Sequence, residues 1–251
     1  DSPSGLKISG VPLANDFDQD FPGETMEDAL TNSVNTYFAQ VGERLGADTL
    51  LEYMRRFGFE EDPKVQQPDD RMAPSGVYDA NGKLVDEGFD VGRVAIGQGG
   101  EEGQIRATPF QMAEVAATIA NGGTLMKPTL IQEVKDPDGR TTDELDPEVQ
   151  SDVVSEDTAA QLTQMMTSVV DEGTAAGLQG DLGGITFAGK TGTAELDIEN
   201  DIAQPWFIAF APVDDPQIAV AATIEECRGC FSGDTAGPIA TAVMNEYLNG
   251  G

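Results

Sequence analysis

Residues 183–195 read Gly183-Gly-Ile-Thr-Phe-Ala-Gly-Lys-Thr-Gly-Thr-Ala-Glu195, and they are the most informative part of the chain. Apolar and β-branched residues lead into Lys190, which is the pattern of a β-strand. Thr191 and Thr193 share one face of that strand, and Gly192 between them leaves room for a ligand to approach the backbone. The pattern predicts a strand that binds a carboxylate-bearing substrate along its edge. The plainer alternative is an exposed strand with a surface lysine and a glycine bulge.

Two further strand patterns follow this segment, at residues 205–211 and 217–224, and a short turn separates them. Short connections favour antiparallel neighbours. Apolar periodicity and capping residues predict helices at 26–57 (with a break at 46–48), 109–121, 155–170 and 236–248. This order of elements predicts an α+β fold in which helices flank an antiparallel sheet.

The other segments are predicted to be less regular. Residues 1–24 are rich in Asp, Gly and Pro and are predicted to be irregular. Residues 60–92 are predicted to form a long loop, which in a compact domain is usually functional or mobile. Residues 128–134 have the composition of a strand, and residues 143–150 are predicted to form an acidic loop.

The chain is strongly acidic. Its 251 residues carry 45 acidic and 14 basic side chains, which gives a formal net charge of −31. Such a surface repels nucleic acid and anionic lipid, so neither is a predicted partner. No apolar run approaches the length of a membrane span, so no membrane segment is predicted within this chain. The acidity fits either a solubilising surface or an adaptation to high salt, where screening weakens the mutual repulsion.

The absence of histidine excludes several enzyme classes. Ser-His-Asp triads, Cys-His proteases and H-E-x-x-H metalloproteases all require that side chain. The two cysteines form Cys227-Arg-Gly-Cys230, which cannot complete a tetrahedral zinc site alone. We therefore expect no metal and no cofactor. A local disulfide is the leading interpretation of the cysteine pair, ahead of two free thiols, and it fits an extracytoplasmic compartment.

A second motif, Ser33-Val34-Asn35, lies far upstream of the lysine strand. On its own it indicates little, because a Ser-x-Asn near a helix start is usually a local cap or a solvent-facing pair. Together with the run 190–193 it is informative, since S-x-N and K-T-G motifs occur together in enzymes that transfer acyl groups through an active-site serine.

The order of these segments resembles the transpeptidase domain of high-molecular-mass penicillin-binding proteins, class B more than class A. The resemblance covers about residues 10–248. The segments that carry it are residues 26–40, 96–99, 107–113, 119–123, 187–195 and 206–210.

The resemblance implies a role for six residues, taken position by position. The catalytic set is Ser33, Asn35 and Lys190, and the substrate-binding set is Thr191, Gly192 and Thr193. Ser33 would relay a proton, and the Asn35 amide would bind the substrate and a catalytic lysine. Lys190 and the two threonines would bind the carboxylate of a substrate or β-lactam, and Gly192 would leave room for it. The backbone amide of Thr193 would form half of the oxyanion hole.

The sequence departs from the family at the nucleophile. The family places the reactive serine in an S-x-x-K helix some tens of residues before the S-x-N motif. Ser4-Gly-Leu-Lys7 matches those letters, but Pro3 and Gly5 beside it disfavour a central helix. We therefore expect residues 1–251 to be the C-terminal part of a single transpeptidase domain, incomplete on its N-terminal side and inactive alone.

The resemblance implies a peptidoglycan D,D-transpeptidase that, in the complete protein, cross-links stem peptides by serine acyl transfer. It places the enzyme on the extracytoplasmic face of the cytoplasmic membrane, with an anchor upstream of this chain. Stem peptides and β-lactams are the expected ligands, and cell-wall synthesis or division proteins are candidate partners. Two other classes remain open, a β-lactamase or β-lactam sensor relative and a non-catalytic cell-wall scaffold module.

Overall fold

A computed structural model of the chain describes residues 1–68, 71–100, 103–197 and 199–250. The helices within these ranges are Met26–Thr31 (α1), Asn35–Arg56 (α2), Val91–Ala95 (α3), Pro109–Ala120 (α4), Glu156–Asp171 (α5) and Ala236–Asn249 (α6). The strands are Leu6–Ile8 (β1), Val11–Leu13 (β2), Gly76–Tyr78 (β3), Gly99–Gly100 (β4), Gly103–Arg106 (β5), Thr124–Met126 (β6), Glu133–Lys135 (β7), Thr141–Glu144 (β8), Val149–Asp152 (β9), Ala188–Asp197 (β10), Ile202–Ala211 (β11), Ile218–Thr223 (β12) and Cys227–Arg228 (β13).

The predicted meander forms the central sheet. Strands β10, β11 and β12 lie side by side in that order and run antiparallel, and β13 pairs with the start of β11. Lys190 lies opposite Ile208 in this register, and Thr191 lies opposite Phe207. The predicted α+β fold with an antiparallel sheet flanked by helices is confirmed.

Helices cover both faces of this sheet. Phe207, Ala209 and Ala211 of β11 pack into a buried cluster with α6, whereas Phe210 packs into a second cluster with α4 and α5. This division follows from the two-residue period of a strand, which sends alternate side chains to opposite faces. The sheet is therefore held mainly by apolar burial on both sides.

Three predicted helix starts are confirmed by their caps. The side chains of Thr25, Thr108 and Ser155 each accept a hydrogen bond from the backbone amide three residues further along. Each hydroxyl thereby satisfies an amide that has no partner within the helix. The predicted break at 46–48 is also present, because Gly46 of α2 has φ of +78° and interrupts its helical geometry. The helix predicted at 26–57 is interrupted a second time at residues 32–34, between α1 and α2, which was not predicted.

Several predictions for the less regular segments were wrong. Residues 1–24 contain the β1–β2 hairpin, and the predicted loop at 60–92 contains β3 and the start of α3 (residues 69–70 of that loop lie outside the described ranges). The predicted strand at 128–134 lies mostly between β6 and β7, and the acidic loop at 143–150 contains the end of β8 and the start of β9. These strands have three or four residues, too few for a periodic pattern, and each depends on the strand that pairs with it rather than on its own composition.

The remaining strands form small peripheral sheets. Strands β3, β5 and β4 form one sheet, β6 pairs with β9, and β7 pairs with β8. Every residue of β7 and β8 is exposed. Among the described residues, no helix combines the length and the apolar character that crossing a bilayer requires.

Candidate active site

Ser33, Val34 and Asn35 link α1 to α2 through a tight turn. The backbone amide of Val34 donates to the carbonyl of Ala29 at 2.9 Å, and the Val34 side chain is buried. Ser33 has φ of +55°, a left-handed conformation that is uncommon for residues with a side chain. Such strained positions persist only where the surrounding structure holds them. The turn brings the Ser33 hydroxyl to the neighbouring strand β10.

Lys190 of β10 connects the two predicted motifs. Its Nζ donates to Ser33 Oγ at 2.8 Å and to the backbone carbonyl oxygen of Thr191 at 2.8 Å. Ser33 and Lys190 are 157 residues apart in the sequence, so the fold brings the S-x-N turn and the K-T-G strand together. A lysine ammonium has three N–H donors, and these two bonds leave one donor for a further acceptor. A substrate carboxylate would gain a charge-assisted hydrogen bond there.

The electrostatic surroundings of Lys190 bring its titration close to neutral pH. Burial lowers the pKa of Lys190 to about 8, and the carboxylate of Asp16 opposes that shift by favouring the charged form. Burial also raises the pKa of Asp16, and the charge of Lys190 opposes that rise. A lysine with this pKa can hold its proton or share it with Ser33 near neutral pH, as acid–base chemistry requires.

Thr191 and Thr193 lie on the face of β10 opposite to the Lys190 side chain. Thr191 is 9% exposed, and its Oγ1 lies 2.6 Å from Thr174 Oγ1. Thr193 Oγ1 lies 2.8 Å from Ser232 Oγ. Each hydroxyl therefore already has a protein partner. Ser232 Oγ donates to the carbonyl oxygen of Gly192, so Thr193 is the donor in its pair and must rearrange to donate to a carboxylate. Either hydroxyl of the Thr174–Thr191 pair can be the donor, so Thr191 can donate without losing that contact.

Gly192 and Asn35 complete the predicted set. A Cβ at Gly192 would meet only the Cβ of Trp206, at an ordinary 3.5 Å, so the neighbouring protein atoms do not demand glycine there. The space above Gly192 is consistent with an approaching ligand. Asn35 Nδ2 donates to the carbonyl oxygen of Ala14 at 3.1 Å, which turns the amide toward the N-terminal segment. Its role in binding substrate stays a prediction.

Sequence reasoning missed three residues beside the site. Asn15 is buried and the charge of Asp16 influences the pKa of Lys190, but both residues belong to a segment that was predicted to be irregular. Ser232 donates to the carbonyl oxygen of Gly192, and no motif marks it. The sequence feature that could have indicated a turn here is the run Asn15-Asp-Phe-Asp18, because Asn and Asp residues favour turns.

The Ser4-Gly-Leu-Lys7 match has no catalytic geometry. Ser4 Oγ donates to Asp18 Oδ1 at 3.3 Å and accepts from the amide of Asn15 at 3.1 Å. Lys7 is exposed on strand β1. The two side chains are therefore not presented on one face of a helix, as the S-x-x-K motif requires.

The cysteine pair forms a disulfide between Cys227 and Cys230, whose Cα atoms are 5.8 Å apart. The leading interpretation of these residues is confirmed. Among the residues that the structure describes, no three His, Cys, Asp or Glu side chains converge as a metal site requires.

An S-x-N turn bonded to a K-T-G strand is also the arrangement implied by the sequence resemblance. The sequence profile of the penicillin binding protein transpeptidase domain matches residues 3–245. The chain belongs to this family. Peptidoglycan D,D-transpeptidase PbpA of Mycobacterium tuberculosis is 35% identical over 236 residues, and stage V sporulation protein D of Bacillus subtilis is 31% identical over 233 residues. The two alignments cover 92% and 90% of this chain, and 45% and 34% of those proteins.

Solved structures of this transpeptidase family match nearly all of the chain. The crystal structure of PBPA from M. tuberculosis has a TM-score of 0.78 at 32% identity, covering 99% of this chain and 57% of that one. The ceftriaxone acyl-enzyme complex of penicillin-binding protein A from M. tuberculosis has a TM-score of 0.80 at 31% identity, covering 98% of this chain and 55% of that one. This chain thus spans about half the length of the curated relatives it matches.

Proposed function

We propose that this chain supplies the S-x-N and K-T-G walls of a peptidoglycan D,D-transpeptidase site, and that a segment N-terminal to it supplies the nucleophilic serine. The observation that carries the proposal is the hydrogen bond from Lys190 Nζ to Ser33 Oγ. It joins the two motifs that the family uses on facing walls of one cleft. The only S-x-x-K in this sequence, Ser4 to Lys7, has no catalytic geometry.

In the complete protein the serine attacks the carbonyl carbon between the two terminal D-alanines of a stem peptide. The serine oxygen forms an ester with that carbon, the C–N bond breaks, and the terminal D-alanine leaves after its nitrogen gains a proton. The amine of a neighbouring stem peptide then attacks the ester and releases the serine. A β-lactam reacts with the serine in the same way, up to the formation of the ester.

The residues of this chain bind and orient the substrate for that reaction. Lys190 holds the substrate carboxylate with its free N–H donor, and Ser33 passes a proton along the Lys190–Ser33 bond. Thr191 contributes a hydroxyl donor, Thr193 contributes a second once its bond to Ser232 rearranges, and the backbone amide of Thr193 stabilises the oxyanion. Asn35 contacts the substrate amide. We assign no cofactor to this chemistry.

The proposal also gives the protein a location and partners. D-Ala-D-Ala peptides of peptidoglycan lie outside the cytoplasm, so the complete protein acts on the extracytoplasmic face of the cytoplasmic membrane, held by an anchor N-terminal to this chain. The Cys227–Cys230 disulfide is consistent with that compartment, because such bonds persist in oxidising surroundings. Its candidate protein partners are those of cell-wall synthesis or division.

Acylation by a fluorescent penicillin tests the proposal. The full-length protein is expected to become labelled, and Lys190→Ala and Ser33→Ala are each expected to slow labelling by about 100-fold. Lys135→Ala is the matched control, because Lys135 is exposed on β7 and forms a surface ion pair with Glu133. Unlabelled full-length protein, or equal labelling of all variants, would contradict the proposal.

A further inference from the structure

Residues 227–235, here called the disulfide segment, are attached to the central sheet beside the K-T-G strand. β13 pairs with the start of β11, and the disulfide between Cys227 and Cys230 closes the loop that follows. The amide of Gly229 donates to the carbonyl oxygen of Asp201 at 3.0 Å, in the turn that joins β10 to β11. The disulfide segment is therefore fixed near β10 before the chain continues into α6.

Ser232 of the disulfide segment bonds to the K-T-G strand through both the proton and the oxygen of its hydroxyl. The proton goes to the carbonyl oxygen of Gly192, because a carbonyl can only accept. The oxygen therefore accepts from Thr193 Oγ1, which lies 2.8 Å away. Thr193 thus donates to Ser232, and Ser232 donates back to the strand at Gly192.

The two hydroxyls that form this bond differ in exposure. Ser232 is 3% exposed, whereas Thr193 is exposed to solvent. A ligand can therefore reach Thr193 but not Ser232. Because a hydroxyl carries one proton, a carboxylate can receive the proton of Thr193 only after Thr193 leaves Ser232.

Thr191 is not restrained in this way. Its Oγ1 lies 2.6 Å from Thr174 Oγ1, and either hydroxyl can be the donor. When Thr174 donates, the proton of Thr191 is free for a ligand. The disulfide segment also packs against Thr174, since a Cβ at Gly233 would lie 2.6 Å from its carbonyl oxygen. The K-T-G strand therefore offers one hydroxyl that is available at once and one, on Thr193, that must first exchange its partner.

This exchange leaves no buried proton without an acceptor. Ser232 keeps its bond to Gly192 when Thr193 turns away. The site loses one neutral hydrogen bond and gains a charge-assisted bond to the carboxylate, which is roughly twice as strong. Binding of the carboxylate is therefore favourable, but weaker than it would be for a Thr193 whose proton is free.

We propose that Ser232 is a positioning residue that withholds the Thr193 hydroxyl and thereby lowers the affinity of the K-T-G strand for a carboxylate. The bond between Thr193 and Ser232 stands on this chain alone. The effect on the carboxylate of a stem peptide or β-lactam rests on the proposed function. Ser232 does not contact the ligand, and its effect passes through Thr193.

The concentration dependence of penicillin acylation in the full-length protein tests this effect. Ser232→Ala is expected to lower the concentration that gives half of the limiting rate by about 5-fold, because Thr193 then has no bond to give up. The limiting rate is expected to change by less than about 2-fold, since Ser232 does not contact the reacting atoms. Thr235→Val is the matched control, because that hydroxyl donates within the disulfide segment, to the carbonyl oxygen of Phe231 at 2.7 Å.

A second background separates this role from a merely structural one. Thr193→Val removes the hydroxyl that Ser232 withholds, so adding Ser232→Ala is expected to leave the half-saturating concentration unchanged. The same change in both backgrounds would overturn the proposal. So would a half-saturating concentration that Ser232→Ala alone leaves unchanged or raises, or that Thr235→Val lowers equally.

Threonine-methyl NMR tests the bond without acylation. Thr193 is exposed, so packing alone does not fix its side chain. The bond to Ser232 is expected to select one staggered rotamer in the full-length protein, and Ser232→Ala is expected to release it. The ¹³C shift of the Thr193 methyl group reports the rotamer, and Thr193→Val identifies the signal. A wild-type side chain that averages over its rotamers would contradict the proposal.

Titration with acetate, followed at the same methyl signal, separates this proposal from the proposed function. Ser232→Ala is expected to bind acetate about 5-fold more tightly than the wild type, whether or not penicillin acylates the protein. Equal affinity, including no measurable binding to either protein, would overturn the proposal. A full-length wild type that penicillin does not acylate would contradict the proposed function alone.

Discussion

Two regions beside the candidate site, the sheet that carries Lys190 and the polar turn at residues 14–19, are held by different forces. The sheet that carries Lys190 contains Phe207 and Phe210, both fully buried, and helices pack on each of its faces. The polar turn at residues 14–19 contains only one buried residue, Asn15, and that residue is held by hydrogen bonds. The sheet depends on buried apolar area, and the polar turn depends on the hydrogen bonds of the Asn15 side-chain amide.

This difference has consequences for substitutions. Apolar burial is non-directional and spread over many contacts, so a loss in the sheet lowers the stability of the whole fold. Hydrogen bonds are directional, so the loss of one amide moves the polar turn and leaves the rest of the fold in place. Substitutions in the sheet are therefore expected to lower the stability of the whole fold. Substitutions in the polar turn are expected to change the structure locally and thereby to affect function.

Phe207→Ala is expected to give the largest loss of stability. A truncated buried phenylalanine leaves a cavity, and the cost is about 3–5 kcal/mol of unfolding free energy. Chemical denaturation measures this change. Phe17→Ala in the polar turn is the control, since Phe17 is 80% exposed and its loss should cost about 0.5 kcal/mol. Equal losses of stability for the two variants would show that the sheet and the polar turn do not differ as described.

Asn15→Ala is expected to have an intermediate and local effect. The change leaves the amide and hydroxyl of Thr36 without their buried acceptor, at a cost of about 1–3 kcal/mol. Hydrogen exchange should quicken at Thr36 and stay slow in β11. Asn200→Ala, at an exposed turn between β10 and β11, is the control and should change stability by about 0.5 kcal/mol or less. Unchanged exchange at Thr36 would refute the fixing role of Asn15.

Glu114→Gln is expected to have the smallest effect, and it depends on pH. Burial raises the pKa of Glu114 on α4 to about 7 from an ordinary 4.5. The folded state then holds the proton more tightly than the unfolded state, so stability falls as pH rises from 4.5 to 7. Glu114→Gln removes that loss and should stabilise the protein by about 1 kcal/mol at pH 8, allowing for partial solvent screening.

At pH 4 the Glu114→Gln variant and the wild type should have nearly equal stability, because the carboxyl is then protonated in both states. Thermal unfolding at the two pH values measures the difference. A stability gain that does not depend on pH would contradict the account of Glu114.

The sheet that carries Lys190 could be predicted from the sequence because the patterns that indicate its strands are local. The strands β10 and β11 have ten residues each, which is long enough for an apolar pattern, and short turns set their antiparallel order. The starts of α1, α4 and α5 were predicted equally well, since a cap such as Thr108 acts on an amide three residues away, whereas the starts of α2 and α3 were not predicted. Lys190 and Ser33 were found through their motifs.

The polar turn could not be predicted because its structure depends on distant partners. Asn15 takes its place through Thr36, and Phe17 takes its place through Phe231. No local sequence pattern around Asn15 or Phe17 indicates those contacts. For the same reason the sequence did not reveal that the hydroxyl of Thr191 is already bonded to Thr174.

The site of the β-lactam adduct in the full-length protein tests the central claim most directly. After incubation with penicillin, proteolysis and mass spectrometry locate the modified serine. The S-x-N and K-T-G walls are predicted to act on a serine outside them, so the adduct should lie N-terminal to residue 1, with residues 1–251 unmodified. An adduct on Ser4, on Ser33 or on any other residue of this chain would contradict the account.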